Sequence, residues 1–203
     1  MSIAEENILS LEEMDALKEV FNIGIGKAAS TLNQMINKRI LLNAPEMELF
    51  RSKEKLLQVL EENMSLNNAV KMGVGFEGFL NGNSTLLLDD SSAKTLVSIL
   101  NDIEDEDELE AFIEPTLQEI ANILLNNVMG SISNMSSSTL KFKVPSFGRV
   151  LGRNDVFDND SDVFILVQCR FSVKEVEISG NIGLSLDVLS IDNLKAMFVE
   201  MNS

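Results

Sequence analysis

No histidine occurs anywhere in this chain, which removes Ser-His-Asp and Cys-His mechanisms and every histidine metal site. One cysteine, Cys169, leaves no partner for a disulfide within the chain and no cysteine zinc site. It lies in the apolar run Val163 to Cys169 and reads as a buried strand thiol rather than a nucleophile. Basic residues are scarce, 16 against 32 acidic ones, and the net charge of -16 argues against a nucleic-acid surface and against anionic membrane. No apolar run approaches the roughly 20 residues of a membrane span, and Met1 to Ser10 lacks a basic region followed by an apolar stretch. A cytoplasmic protein is expected. A glycine-rich phosphate loop is also missing: Asn22-Ile-Gly-Ile-Gly-Lys27 has glycines and a lysine, but it falls inside a helical pattern and reads as small residues at a helix contact.

What is present is a helix with two different faces. Ser10 with Glu13 forms a capping-box pattern that opens a helix over 11–37. At 100° per residue Leu17, Phe21, Gly24, Ala28, Leu32 and Met35 share an apolar stripe. Asp15, Glu19 and Asn22 are neighbours on the opposite stripe, which Gly26, Ala29 and Asn33 continue with small side chains that would let a partner approach closely. The pattern returns 100 residues later, with Leu117, Ile120, Leu124, Val128 and Met135 on one stripe and Glu119, Asn122, Asn126 and Ser133 on the other. Proline then follows each asparagine after 22 intervening residues, Pro45 after Asn22 and Pro145 after Asn122. Since proline makes up about 5% of residues, this matched spacing points to a duplicated unit.

The remaining pattern supports duplication. Residues 38–43 form a short connection or strand that Pro45 ends, 51–62 a helix, 67–80 a loosely alternating segment, 84–88 a strand and 89–101 a capped helix. The acidic run 102–108 is a solvated linker or a helix start, without the glycine and spacing of a calcium loop. Pro115 suits a first helical turn, so the second long helix is expected to begin there. After Pro145 come a loop to about 160, strands over 162–170 and 172–179, a turn at Gly180-Asn181 matching the one at Gly82-Asn83, a strand over 182–188 and a helix over 190–200. The expected class is α+β: one domain over 1–203 made of two repeats, about 11–101 and 112–200. Its halves would share one continuous antiparallel sheet with pseudo-two-fold symmetry and two long helices on one face.

At these residues the chain resembles the CheC, CheX and FliY family of chemotaxis phosphatases, whose motif is Asp or Ser, three residues, Glu, two residues, Asn, then 22 residues and Pro. The first copy matches at Asp15, Glu19, Asn22 and Pro45; the second keeps Glu119, Asn122 and Pro145 but has Pro115 in place of Asp or Ser. The resemblance implies hydrolysis of the aspartyl phosphate of the response regulator CheY, with the asparagines orienting water and the glutamates pairing with the regulator's lysine. It implies no cofactor of the chain's own, Mg²⁺ being supplied by the phosphorylated regulator, and CheD as a further partner. The family's fold also includes the non-catalytic middle domain of FliM, which leaves a binding module as the alternative. One amide held on a rigid helix suffices for such chemistry, much as a glutamine orients water in small GTPases. Lys18 and Lys27 flank the first site, whereas no lysine or arginine lies between Pro115 and Leu140. On charge alone the second site is expected to contribute at least as much as the first.

Overall fold

The computed structural model describes residues 8–36, 39–136, 138–157, 161–173 and 175–201. In chain order the elements are α1 (Leu11–Ile36), β1 (Ile40–Phe50), α2 (Lys53–Asn63), β2 (Val70–Gly78), β3 (Gly82–Leu88), α3 (Asp90–Asn101), α4 (Glu106–Met135), β4 (Leu140–Phe142), β5 (Ser146–Arg149), a 3-10 turn (Arg153–Asp155), β6 (Val163–Val173), β7 (Val176–Leu186) and α5 (Val188–Met201). Among the described residues no helix is long and apolar enough to cross a membrane.

Among the described residues seven strands join one antiparallel sheet in the order β1-β6-β7-β3-β2-β4, with β5 also on β2. Exchanging β1 for β4 and β5, β6 for β2 and β7 for β3 reads the same order backwards. The pseudo-two-fold axis therefore passes between β7 and β3. Each edge strand pairs with the opposite half, β1 with β6 and β4 with β2, so neither half completes its sheet alone.

The motif prolines mark the same irregularity at both edges. Between Asn43 and Glu46 the register of β1 slips, three steps facing two on β6 from Arg170 to Gln168. Between Phe142 and Ser146 four steps face three on β2, from Phe76 to Gly73, and the Lys143 N–H donates to the Gly75 carbonyl at 2.8 Å across the gap. Each is a bulge of one extra residue on an edge strand, where proline's missing donor is harmless. Position 45 thus lies inside β1, and the strand continues to Phe50 instead of ending there.

Alternation along β6 shows how the sheet is covered. Val163, Ile165, Val167, Cys169, Phe171 and Val173 join the main core with α1, α3, α4 and α5, while Phe164 and Leu166 face a second cluster with Leu56, Leu57 and Leu60 of α2 and with Phe157. Burial on both faces explains the continuous apolar run. It also pushes the Cys169 thiol up to about 12, as befits an inert core residue.

Several expected boundaries differ. Gly82-Asn83, expected as a turn, opens β3 with the connection before it at 79–81, and β5 lies in the loop expected after Pro145. The strands expected over 162–170, 172–179 and 182–188 are two strands of 11 residues each, β6 ending at Val173 and β7 beginning at Val176, with Glu175 between them at φ 69°. Gly180-Asn181 is strand, not turn: a Cβ on Gly180 would lie 2.6 Å from Leu88 Cδ2, so the glycine answers a packing demand. The second long helix starts at Glu106 rather than Pro115, because Asp105 caps it by accepting from the Glu108 N–H at 2.9 Å and three acidic residues fill its first turn. Pro115 sits in the helix interior, where it forgoes one backbone bond.

Candidate functional site

The capping box forms as the sequence predicts, with the Glu13 N–H donating to Ser10 Oγ at 3.2 Å and the Ser10 N–H to Glu13 Oε2 at 2.6 Å. From that fixed start α1 buries Leu17, Phe21, Gly24, Ala28 and Leu32. Met35 is the exception: it is 48% exposed, because the apolar stripe drifts off the core in the last turn. The opposite stripe presents Asp15, Glu19 and Asn22, all exposed, with Lys18 and Lys27 exposed beside them.

In α4, Leu117, Ile120, Leu124 and Val128 are buried as expected and Met135 is partly buried. The burial of this helix is wider, taking in Ala121, Leu125, Met129, Ser131 and Ile132. Glu119 is exposed, but Asn122 and Asn126 are only half-exposed. The two long helices press together where Gly24 meets Asn127 and Val128; a Cβ on Gly24 would stand 2.6 Å from Val128 Cα. Gly26, two residues on, has nothing within 4 Å of its Cβ position. Of the two glycines in α1, the first makes the close approach and the second leaves open space one turn after Asn22.

The two asparagines differ in their bonding. The side chains of Asn22, Glu19 and Glu119 make no hydrogen bond among the described residues. Asn122 Oδ1 accepts from Asn126 Nδ2 at 2.7 Å, and Asn126 Oδ1 is itself buried without a partner. The second carboxamide is therefore tied to a neighbour on its own helix, while the first has no such tie.

Two residues expected on the docking stripe are structural. Asn33 donates to the Ile40 carbonyl at 3.0 Å and accepts from the Ile40 N–H, tying the end of α1 to the start of β1. Ser133 does the same for α4 by donating to the Ser138 carbonyl. Their matching positions 100 residues apart extend the repeat to the helix exits. A connection that must satisfy freed backbone groups just past a helix end is the signal that could have revealed this role.

Among the described residues no three acidic or cysteine side chains converge as a metal site. Each motif places a carboxylate and a carboxamide one helical turn apart on a long helix, with both side chains exposed on α1 and the asparagine half-exposed on α4.

The CheC-like family model matches residues 12–49, a stretch that contains Asp15, Glu19, Asn22 and Pro45 but not the second motif. Similar solved structures cover nearly the whole chain. FliY from Thermotoga maritima aligns with 21% identity and a TM-score of 0.68, over 95% of this chain and 98% of that one. The middle domain of FliM from H. pylori aligns with 11% identity and a TM-score of 0.63, over 93% of this chain and 99% of that one. CheX in a complex with CheY, BeF3 and Mg²⁺ from Borrelia burgdorferi aligns with 19% identity and a TM-score of 0.53, over 83% and 96%. The chain thus matches a CheC-like model through its first motif, and along nearly its full length its fold is similar to those of FliY, the FliM middle domain and CheX.

Proposed function

We propose that this protein hydrolyses the aspartyl phosphate of a CheY-type response regulator. The observation that carries the reading is the pair Glu19 and Asn22: adjacent, exposed and unbonded on a helix anchored at Gly24, inside the segment that the CheC-like model matches. Its structural likeness to a CheX bound to CheY supports the choice of partner. An acyl phosphate is already activated and the regulator brings its own Mg²⁺ and lysine, so the phosphatase adds orientation. Asn22 or Asn122 directs a water in line with phosphorus, and Glu19 or Glu119 pairs with the regulator's lysine.

Phosphate release from a phosphorylated CheY-type receiver, with and without the chain, tests this. Acceleration that saturates with receiver concentration is expected. Likeness to FliM middle domains favours a second reading, a FliM-like binding module without turnover. That reading predicts a complex with an unchanged decay rate.

A further inference from the structure

Asn126 holds in α4 the place that Gly26 holds in α1, one turn after the motif asparagine. In α1 that place has no side chain and open space; in α4 it carries an amide that donates to Asn122 Oδ1 at 2.7 Å. Asn126 accepts a cost to sit there, since its own Oδ1 is buried without a partner. A native orphan of this kind calls for an explanation.

From this we infer that Asn126 is a positioning residue of the second site: it fixes the Asn122 carboxamide in one of its two flips. With Oδ1 engaged at one lone pair, Asn122 offers its NH₂ group and one remaining acceptor lone pair in a set direction. Accepting the bond polarises the amide and strengthens what its NH₂ donates. Orientation held before the partner arrives is not lost as entropy in the transition state, so the effect falls on kcat rather than on KM. The first site, with Gly26, lacks the clamp. The inference rests on the phosphatase reading for its kinetic consequence and on geometry alone for the clamp itself.

The test uses the full chain with Asn22→Ala, so that turnover comes from the second site. Asn126→Ala is expected to lower kcat roughly tenfold, within the reach of orientation effects, with KM for the phosphorylated receiver changed less than about twofold. Asn126→Asp keeps the shape but can only accept, which turns the Asn122 amide around; it should lower kcat at least as far. Gly26→Asn, in the chain with Asn122→Ala, should raise first-site kcat. Side-chain amide NMR relaxation gives a readout independent of turnover. Asn122 should be ordered and Asn22 mobile in the unaltered chain, and Asn126→Ala should make Asn122 as mobile as Asn22.

Equal mobility of the two amides in the unaltered chain overturns the clamp. An ordered Asn122 with kcat indifferent to both Asn126 substitutions overturns its catalytic use. If the Asn22→Ala parent itself shows no turnover, the inference falls together with the phosphatase reading at the second site, and mobility alone then decides whether the clamp exists.

Discussion

The two long helices carry one motif in two settings. On α1 the motif asparagine is exposed and unbonded, followed after one turn by a glycine and flanked by two lysines. On α4 it is half-buried and held by a second asparagine, on a helix without a cation from Pro115 to Leu140. The backbone duplicates closely, down to the one-residue bulges at both sheet edges. What diverges is the residue one turn away and the breadth of the buried face. Duplication thus conserves where a side chain is placed, while its neighbours decide how freely it moves.

The largest effect is expected where the helices touch. Gly24→Ala forces a Cβ to 2.6 Å from Val128 Cα and should destabilise the protein by about 1–3 kcal/mol. Gly26→Ala meets open space and should stabilise by up to about 1 kcal/mol. Chemical denaturation measures both, and equal values would mean that the helices do not meet as described. Next comes the difference between the asparagines. Asn122→Ala strips Asn126 of its acceptor and should cost about 1 kcal/mol, whereas Asn22→Ala, which breaks no bond, should leave thermal unfolding unmoved. A larger loss for Asn22→Ala would make that residue structural and reverse the contrast.

On the proposed function, Glu19→Ala with Asn22→Ala should lower phosphate release about twofold, and Glu119→Ala with Asn122→Ala by at least as much, if both sites turn over. Abolition by the first pair alone would show that the absent Asp or Ser at position 115 matters more than charge. The smallest effect is electrostatic. A net charge of -16 repels acidic receivers, so raising salt from low to physiological ionic strength should lower KM slightly. The response should be steeper in a chain relying on the second site, which has no counterpart of Lys18 and Lys27.

Much of this was legible in the sequence. Ser10 with Glu13 set the start of α1, the apolar stripe named its buried face, and Glu19, Asn22 and Glu119 came out on the solvent side. The repeat foretold a sheet whose order reads the same from either edge. Local signals misled where tertiary packing decided the matter. Gly180-Asn181 has turn composition, but the glycine makes room for Leu88 inside a long strand. Pro115 suits a helix start, but the Asp105 cap and the acidic turn after it begin α4 earlier. Asn33 and Ser133 lie on the polar stripes, yet the chain's exit from each helix takes them for backbone bonds. The bond between Asn122 and Asn126 joins two residues of one stripe, and no periodicity reveals which polar neighbours are half-buried enough to pair.

The central claim is that the motif asparagines, and not merely the docking helices, speed the loss of phosphate. The most direct measurement is the decay of a phosphorylated CheY-type receiver mixed with the chain carrying both Asn22→Ala and Asn122→Ala, with complex formation followed in parallel. The account predicts a folded protein that still binds the receiver and leaves its decay at the receiver's own rate. A double variant that accelerates decay as well as the unaltered chain would contradict it.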